Sequence, residues 1–175
     1  MGHKTHPVGF RLGIIRDWDA RWFAPKGTVY KELLLEDLRI RKHINKTYED
    51  AGIAQINVER GSSDLVLTLH TSRPGIVIGR GGQRIEELRH DLEALTGKRA
   101  RVSVQEIRQP ELNAYLVGRN IADQLERRIS YRRAMKRAIQ SAMRQGAEGI
   151  KIEVAGRLSG AEMARSVWLR DGRVP

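Results

Sequence analysis

The chain has 175 residues, a formal net charge of +11 and a sequence pI near 10.5. Such a charge favours a polyanionic partner, because clustered Lys and Arg side chains attract phosphates at long range and release their counterions. The composition excludes several classes of protein. The sequence contains no cysteine, which rules out disulfides, thiolate metal sites and cysteine nucleophiles. No apolar run approaches the roughly 18 residues that would span a bilayer.

The first 28 residues predict an irregular basic arm, because Gly, Pro and His recur there. Within it, Lys4 and Arg11 are candidate phosphate contacts. Three aromatic residues are expected to fix the arm to a neighbour, since an arm without apolar anchors stays mobile. They are Trp18, Trp22 and Phe23. No secretory signal is recognisable between Met1 and Pro25, which predicts an intracellular protein.

A helical pattern begins at Tyr30, and two alternating runs after Gly52 predict a hairpin of half-buried strands. The residues expected to face the core are Leu33, Leu34, Ile40 and Ile44 in the helix, and Ala54, Ile56, Val58, Leu65, Leu67 and Leu69 in the strands. The helical residues expected to face water are Glu32, Asp37, Arg41 and Lys42. The turn between the two strands is predicted at the RGSSD segment.

A glycine-rich loop follows the hairpin. The short apolar piece Ile76-Val77-Ile78 leads into Gly79-Arg80-Gly81-Gly82, and an amphipathic helix then runs to Thr96. A third strand alternates around Val102 and Val104. The predicted order of elements over residues 31–108 is therefore α-β-β-α-α-β.

The loop taken alone indicates only a tight turn, but its context resembles the G-x-x-G loop of a KH domain of the prokaryotic type (type II). Glycines without Cβ atoms let a sugar-phosphate strand approach the backbone, and the start of the next helix favours a phosphate. Arg80 adds a guanidinium for the same oxygens. The three apolar residues before the loop predict either a floor for bases or simple core packing.

Two competing phosphate-binding motifs are absent from the sequence. No G-x-x-x-x-G-K-[ST] run exists, which excludes a P-loop. A dinucleotide-binding G-x-G-x-x-G would need glycine at the position of Arg84. A nucleotide-binding enzyme is therefore not predicted.

Beyond Pro110, the pattern predicts helices at Asn113–Ser130 and Tyr131–Gln145 and a strand at Gly149–Ala155. The expected organisation is α+β: a basic arm at 1–28, a KH domain at 29–108, and a second small domain at 109–175 with two helices on a sheet.

The second domain carries a run of seven cations without an intervening acid. They are Arg127, Arg128, Arg132, Arg133, Lys136, Arg137 and Arg144. On a helical wheel the last five share one side, while Ala134, Met135, Ala138, Ile139 and Ala142 share the other. A solvated face, a calmodulin-type partner and a membrane surface are alternatives to nucleic acid. The small alanines favour packing on a domain, and like charges at i,i+4 favour an anionic ligand.

No catalytic constellation is recognisable, because the five histidines are scattered and the acidic pairs lack a partner. We therefore predict no enzyme activity, no metal site and no cofactor.

Four segments resemble the bacterial and organellar small-subunit ribosomal protein conventionally numbered three. They are MGHKTHPVGFRLGI, RPGIVIGRGG, QLERRISYRRAMKRAIQSAMRQGAEGIKIEVAGRLSGAEMAR and the closing GRVP. The resemblance runs over essentially the whole chain in the same order. It implies a structural constituent of the subunit head that binds ribosomal RNA and lines the entrance of the messenger RNA channel.

In that family, Arg132, Arg133 and Lys136 of the RRAMKR motif would face incoming messenger and help to unwind it. The resemblance also implies contacts with the neighbouring head proteins numbered ten and fourteen, no membrane, and a cytoplasmic or organellar ribosome. The family continues past GRVP into further strands that complete the second domain's sheet, so that domain is expected to be incomplete. The alternatives are a free KH-domain RNA regulator or chaperone and, less favoured, a nuclease or DNA lyase.

Overall fold

The computed structural model describes residues 5–25, 27–61 and 63–174. The chain divides into two compact units, the first ending at Glu106 and the second beginning at Ile107.

The first unit is built on a four-stranded sheet in the order β1-β2-β3-β4. Its elements are α1 (Pro7–Arg11), β1 (Ala20–Arg21), α2 (Thr28–Thr47), β2 (Ile53–Arg60), β3 (Asp64–Thr71), α3 (Pro74–Ile78), α4 (Gln83–Thr96) and β4 (Arg99–Glu106). Strands β2 and β3 are antiparallel, and β4 runs parallel to β3. From α2 to β4 the order is α-β-β-α-α-β, which confirms the predicted KH arrangement.

The arm is more regular than its composition predicts. It contains α1, and it contributes β1 as a parallel edge strand, with Ala20 opposite Val58. The ring of Trp22 lies 5.7 Å from that of Tyr30, and the Arg60 guanidinium lies 5.8 Å from the Trp22 ring. Trp22 thus anchors the arm within this unit, whereas Trp18 and Phe23 are exposed.

The core of the first unit lies between the sheet and α2, α3 and α4. Its fully buried members include Ile40 and Ile44 of α2, Val58, Leu65, Leu67 and Leu69 of the sheet, and Leu88 and Leu92 of α4. The predicted alternation is confirmed in β3. In β2 it fails at Ala54, because the register shifts between Ile53 and Gln55 and places Ile53 in the core instead.

Two residues of α2 depart from the predicted faces. Asp37 was expected to face water but is buried, and Arg41 Nε donates to its Oδ2 over 3.2 Å. Arg41 also donates to the carbonyl of Ile56 over 2.8 Å. A buried carboxylate needs a partner of opposite charge, and α2 provides Arg41 at the i,i+4 position. The second departure is Leu34, which is exposed rather than buried.

The second unit contains α5 (Ala114–Glu126), α6 (Tyr131–Arg144), β5 (Gly149–Gly156) and β6 (Arg165–Gly172). Strands β5 and β6 form an antiparallel hairpin. The sequence prediction did not assign β6. Met135 of α6 packs against one face of this hairpin, together with Leu158. The partly buried residues around them are Leu125, Ile152, Val154, Val167 and Leu169.

Helix α5 is shorter than predicted at both ends. Asn113 lies outside it and caps it, because its Oδ1 accepts from the backbone N–H groups of Tyr115 and Leu116. The helix ends at Glu126, and Arg128 then takes a left-handed φ of 62°. Arg127 and Arg128 therefore lie on the turn between the helices and not on a helix.

Candidate nucleic-acid interface

The glycine loop of the first unit is a tight turn between α3 and α4. Gly79, Gly81 and Gly82 have φ angles of 75°, 61° and 81°, a region that L side chains rarely adopt. Arg80 is exposed between them. The sequence therefore needs glycine here for backbone geometry, and the exposed Gly81 also leaves the backbone accessible.

The three glycines differ in the space around them. A Cβ on Gly79 would lie 2.8 Å from Cγ of Arg84, whereas a Cβ on Gly81 would meet nothing within 4 Å. The aliphatic part of the Arg84 side chain therefore occupies the space beside Gly79. Gly81 is open, as close approach by a nucleotide strand requires.

Arg84 braces the loop, a role that sequence reasoning missed. Its Nη1 donates to the carbonyl of Ile76 in α3 over 3.0 Å, and its guanidinium lies 5.7 Å from the Tyr48 ring. The Tyr48 hydroxyl donates to the Arg84 carbonyl over 2.9 Å. Burial raises the pKa of the Tyr48 hydroxyl, and the Arg84 charge opposes that shift. These contacts tie the segments on both sides of the loop together.

The apolar piece before the loop divides between the two roles predicted for it. Val77 is fully buried in the core, and Ile76 packs partly against that core. Ile78 is 39% exposed beside the loop. Core packing therefore accounts for Val77, and Ile78 is the residue of the three that a base could contact.

The N-cap residue of α4 is Gly82, and no side chain of the described residues caps the first turn of this helix. The N-terminal N–H groups of a helix carry partial positive charge and are satisfied by caps, water or ligands. An uncapped helix start beside Arg80 and open glycines can accept a phosphate.

In the second unit, α6 separates its residues as the helical wheel predicted. Arg132, Arg133, Lys136, Arg137 and Arg144 are exposed, while Tyr131, Ala134, Met135, Ile139 and Ala142 are buried. The helix is held by its apolar face, so its basic face is free to present charge. Arg127 and Arg128 are exposed on the turn just before it.

In the described part of the chain, the cations of α6 have no carboxylate partners, unlike several cations of the first unit. Arg60 pairs with Glu36 at 2.5 Å, and Arg89 pairs with Glu86 at 2.8 Å. Within residues 63–174, none of the five exposed cations of α6 forms an ion pair. Like charges at i,i+4 destabilise an isolated helix by roughly 0.2–0.5 kcal/mol per pair, so an anionic ligand on this face would be favoured.

Arg132 is held by its neighbour on the helix. Its Nε donates to the Tyr131 hydroxyl over 3.1 Å, and its guanidinium lies 5.7 Å from the Tyr131 ring. The hydrogen bond from Arg132 is the main cause that lowers the pKa of Tyr131, and the Arg165 guanidinium acts in the same direction. Tyr131 thus orients one cation of the basic face.

Arg128 occupies a position at which helices commonly place glycine. Its N–H donates to the Leu125 carbonyl over 2.9 Å, and the N–H of Ile129 donates to the Gln124 carbonyl over 3.0 Å. This pattern is a Schellman motif, whose left-handed residue is usually glycine. An arginine there strains the backbone while adding charge beside α6.

The two arm residues proposed as phosphate contacts remain predictions. Arg11 is exposed at the end of α1, and its Nη1 donates to the Pro7 carbonyl over 2.9 Å. Lys4 lies outside the described residues. Within the described part of the chain, no helix is both long and apolar enough to cross a membrane, and no three His, Asp or Glu side chains cluster as metal ligands would.

The order of elements and the glycine loop define an RNA-binding KH protein of the prokaryotic type. The KH domain family profile matches residues 39–112, and the profile described as Ribosomal protein S3, C-terminal domain matches residues 121–175. The relatives agree with both matches. Small ribosomal subunit protein uS3 of Carboxydothermus hydrogenoformans is 55% identical over 175 residues, which cover all of this chain and 78% of the relative.

The proteins of the same name from Dehalococcoides mccartyi strain CBDB1 and Streptococcus pyogenes serotype M5 are 54% and 53% identical over the full chain. The chain spans 63% and 80% of their respective lengths. This chain belongs to the small ribosomal subunit protein uS3 family, which is structural and not enzymatic.

Proposed function

We propose that this chain is a structural protein of the small ribosomal subunit that binds ribosomal RNA through both units and uses α6 to hold and unwind incoming messenger RNA at the entrance of its channel. The relatives named above are small-subunit proteins of bacteria, so the chain acts on the ribosome in the cytoplasm. The observation that carries the messenger role is the exposed basic face of α6, whose cations have no carboxylate partners among the described residues.

A row of cations suits messenger RNA because it acts on phosphates, which every sequence shares. Arg132 and Arg133 lie in the first turn of α6, which contains no acidic residue. A helix N-terminus already carries partial positive charge, so these cations strengthen the attraction for an anion there. A site that binds the separated backbone more tightly than a paired one shifts the equilibrium toward the open strand.

The glycine loop is proposed as a second RNA contact, made by Gly79, Arg80, Gly81 and Gly82. Three features support it: the open backbone at Gly81, the uncapped start of α4 and the exposed Arg80 guanidinium. KH loops of this type clamp the backbone of about four nucleotides. The loop thus contacts phosphate and sugar, and carries little sequence discrimination of its own.

The first unit also exposes apolar side chains that suit protein neighbours. On α2 these are Val29, Tyr30, Leu34, Leu35 and Leu38, and in the arm they include Phe10, Ile14, Ile15, Trp18 and Phe23. Large exposed apolar groups are typical of surfaces that another protein covers. We propose that the head proteins numbered ten and fourteen are among these neighbours.

The messenger role is tested by replacing Arg132, Arg133 and Lys136 with Gln in reconstituted small subunits. We expect slower translation of a messenger with a stable hairpin ahead of the channel, and little change for an unstructured messenger. Binding of the chain to single-stranded RNA should weaken similarly for all sequences. Its salt dependence should fall by roughly 0.7 in the log–log slope for each lost phosphate contact.

A matched control removes three charges from another exposed helical surface, by replacing Arg39, Lys42 and Lys46 of α2 with Gln. If the two triple variants slow the hairpin messenger equally, general charge and not α6 is responsible. An α6 variant that handles hairpins normally would exclude the proposed messenger role while leaving ribosomal RNA binding in place.

A further inference from the structure

The outer face of the β5–β6 hairpin carries an exposed tryptophan among cations. One face of this hairpin packs against α6 through Ile152, Val154, Val167 and Leu169. The opposite face consists of Lys151, Glu153, Ala155, Ser166, Trp168 and Arg170, all of them exposed. Trp168 is 52% exposed.

The strand register places each neighbour of the indole ring. Trp168 is opposite Glu153, Lys151 is opposite Arg170, and Ala155 is opposite Ser166. Lys151 Nζ lies 5.5 Å from the ring centroid, and the Arg170 guanidinium carbon lies 5.7 Å from it. Cations therefore flank the ring on the side of the Lys151–Arg170 pair, and small side chains occupy the next pair on the other side.

The acidic side chain of this face, Glu153, already has polar partners. One Glu153 oxygen accepts from the Ser166 hydroxyl over 2.6 Å, and the other lies 4.0 Å from Lys151 Nζ. Its negative charge is thus partly offset by groups of the same face. Arg170 has no carboxylate partner within residues 63–174, so its guanidinium remains available to a phosphate.

We propose that this face, which we call the Trp168 platform, binds single-stranded RNA by stacking a base on Trp168 and contacting the adjacent phosphates through Lys151 and Arg170. An exposed aromatic with flanking cations is the arrangement that sequence-tolerant single-strand binding requires. A protein partner is less suited, because Trp168 is the one large apolar side chain among the six residues of this face. The inference rests on the RNA-binding role proposed above but concerns a different surface of the second unit.

The test follows the fluorescence of Trp168 in the full chain. The sequence has three tryptophans, so replacing Trp18 and Trp22 with Phe leaves Trp168 as the sole reporter. Titration with an unstructured oligouridine should quench this fluorescence in step with binding measured independently by anisotropy of a labelled RNA. Trp168→Ala should weaken binding by about five- to hundredfold, and Trp168→Phe should weaken it less because a ring remains.

The cations of the platform are tested by Lys151→Gln with Arg170→Gln. This pair should lower the salt slope by roughly 0.7 per lost contact, and quenching should persist at low salt. Replacing Arg39 and Lys42 of α2 with Gln removes the same charge elsewhere and serves as the control.

Saturable RNA binding with unchanged Trp168 fluorescence would overturn the proposal, as would the absence of any binding to the oligouridine. A fluorescence change that occurs only with purified small-subunit proteins would also overturn it and assign the face to a protein. Quenching that survives Arg132→Gln, Arg133→Gln and Lys136→Gln supports the platform even if those changes leave hairpin unwinding intact. Failure of the messenger role and failure of the platform are thus distinguishable. The quenching experiment keeps Trp168 in place, so its result does not depend on how well the Trp168 variants fold.

Discussion

The side chain of Arg84 helps to fix the conformation of the glycine loop that precedes it in the sequence. Its stem lies under Gly79, its guanidinium bonds the Ile76 carbonyl, and its own carbonyl accepts from the Tyr48 hydroxyl. In the sequence this residue only breaks a dinucleotide-binding motif. In the fold it connects α3, α4 and the segment after α2, and so fixes the loop between them.

We expect Arg84→Ala to weaken single-stranded RNA binding several-fold with little change in melting temperature, because the exposed side chain contributes little to the core. The loop should loosen, so the amide hydrogen of Gly79, which bonds the Gly75 carbonyl over 3.0 Å, should exchange faster in NMR spectra. Hydrogen exchange reports local opening that a global melting curve does not resolve.

Two controls separate positioning from charge in this experiment. Arg101→Ala removes one exposed cation from β4 of the same unit. Arg84→Lys keeps the charge but lacks the planar guanidinium, and should restore binding only in part. If exchange at the Gly79 amide is unchanged and the Arg101 and Arg84 variants bind RNA alike, Arg84 does not position the loop.

The glycine loop and α6 show two ways in which an element exposes binding groups. The loop uses backbone, because glycine has no Cβ and so lets a nucleotide strand approach the chain closely at Gly81. Helix α6 uses side chains, since its buried face of Ala134, Met135, Ile139 and Ala142 holds the helix in place. Helices in proteins owe most of their stability to such packing, which permits an unfavourable row of like charges on the other face.

For the loop, we expect Arg80→Asp with Gly81→Asp to abolish most single-stranded RNA binding by this element while leaving the circular dichroism spectrum unchanged. Both positions are open, and Asp tolerates the left-handed φ of 61° at Gly81 better than most residues. Two carboxylates would repel the phosphates that the loop is proposed to hold.

The matched control is Arg80→Asn with Gly81→Asn, which has nearly the same shape as the Asp pair without negative charge. The control should retain more binding than the Asp pair. Equal binding by the wild type and the Asp pair, with a normal spectrum, would remove the loop from the RNA interface.

At the scale of the whole molecule, the net charge is +11, and the cations of the two units differ in whether they have carboxylate partners. In the first unit, Arg41, Arg60 and Arg89 are tied to carboxylates and support the fold. In the second unit, the exposed cations of α6 have no such partners within residues 63–174. The excess charge of that unit is therefore available for an external polyanion, as a ribosomal role requires.

We expect the tagged chain to sediment with the small subunit in sucrose gradients of cell lysate, in stoichiometric amount and at both moderate and high salt. An integral component makes many phosphate and protein contacts and therefore resists the salt that removes a loosely bound protein. The unfused tag, expressed alone, controls for adventitious association. Migration as a free protein, or release at modest salt, would favour the alternative of an independent KH regulator.

The sequence by itself determined the order of elements from α2 to β5, the class of ligand and the two faces of α6. Those features depend on local periodicity, on glycine spacing and on the sign of charge, all of which are properties of the sequence itself. The predicted alternation of β3 and the basic face of α6 were confirmed for the same reason. The family resemblance added the small-subunit assignment, and the relatives confirm that family.

Only the tertiary structure decided which of these residues are free to act, because that depends on neighbours distant in sequence. Asp37 is buried although its helical position predicted exposure, and its partner Arg41 also donates to the carbonyl of Ile56 on β2. Arg84 acquires its role through contacts with Ile76 and Tyr48, and Trp168 meets Lys151 only through the β5–β6 register. Periodicity predicts the face on which a side chain lies, but the partner it meets is a property of the folded chain.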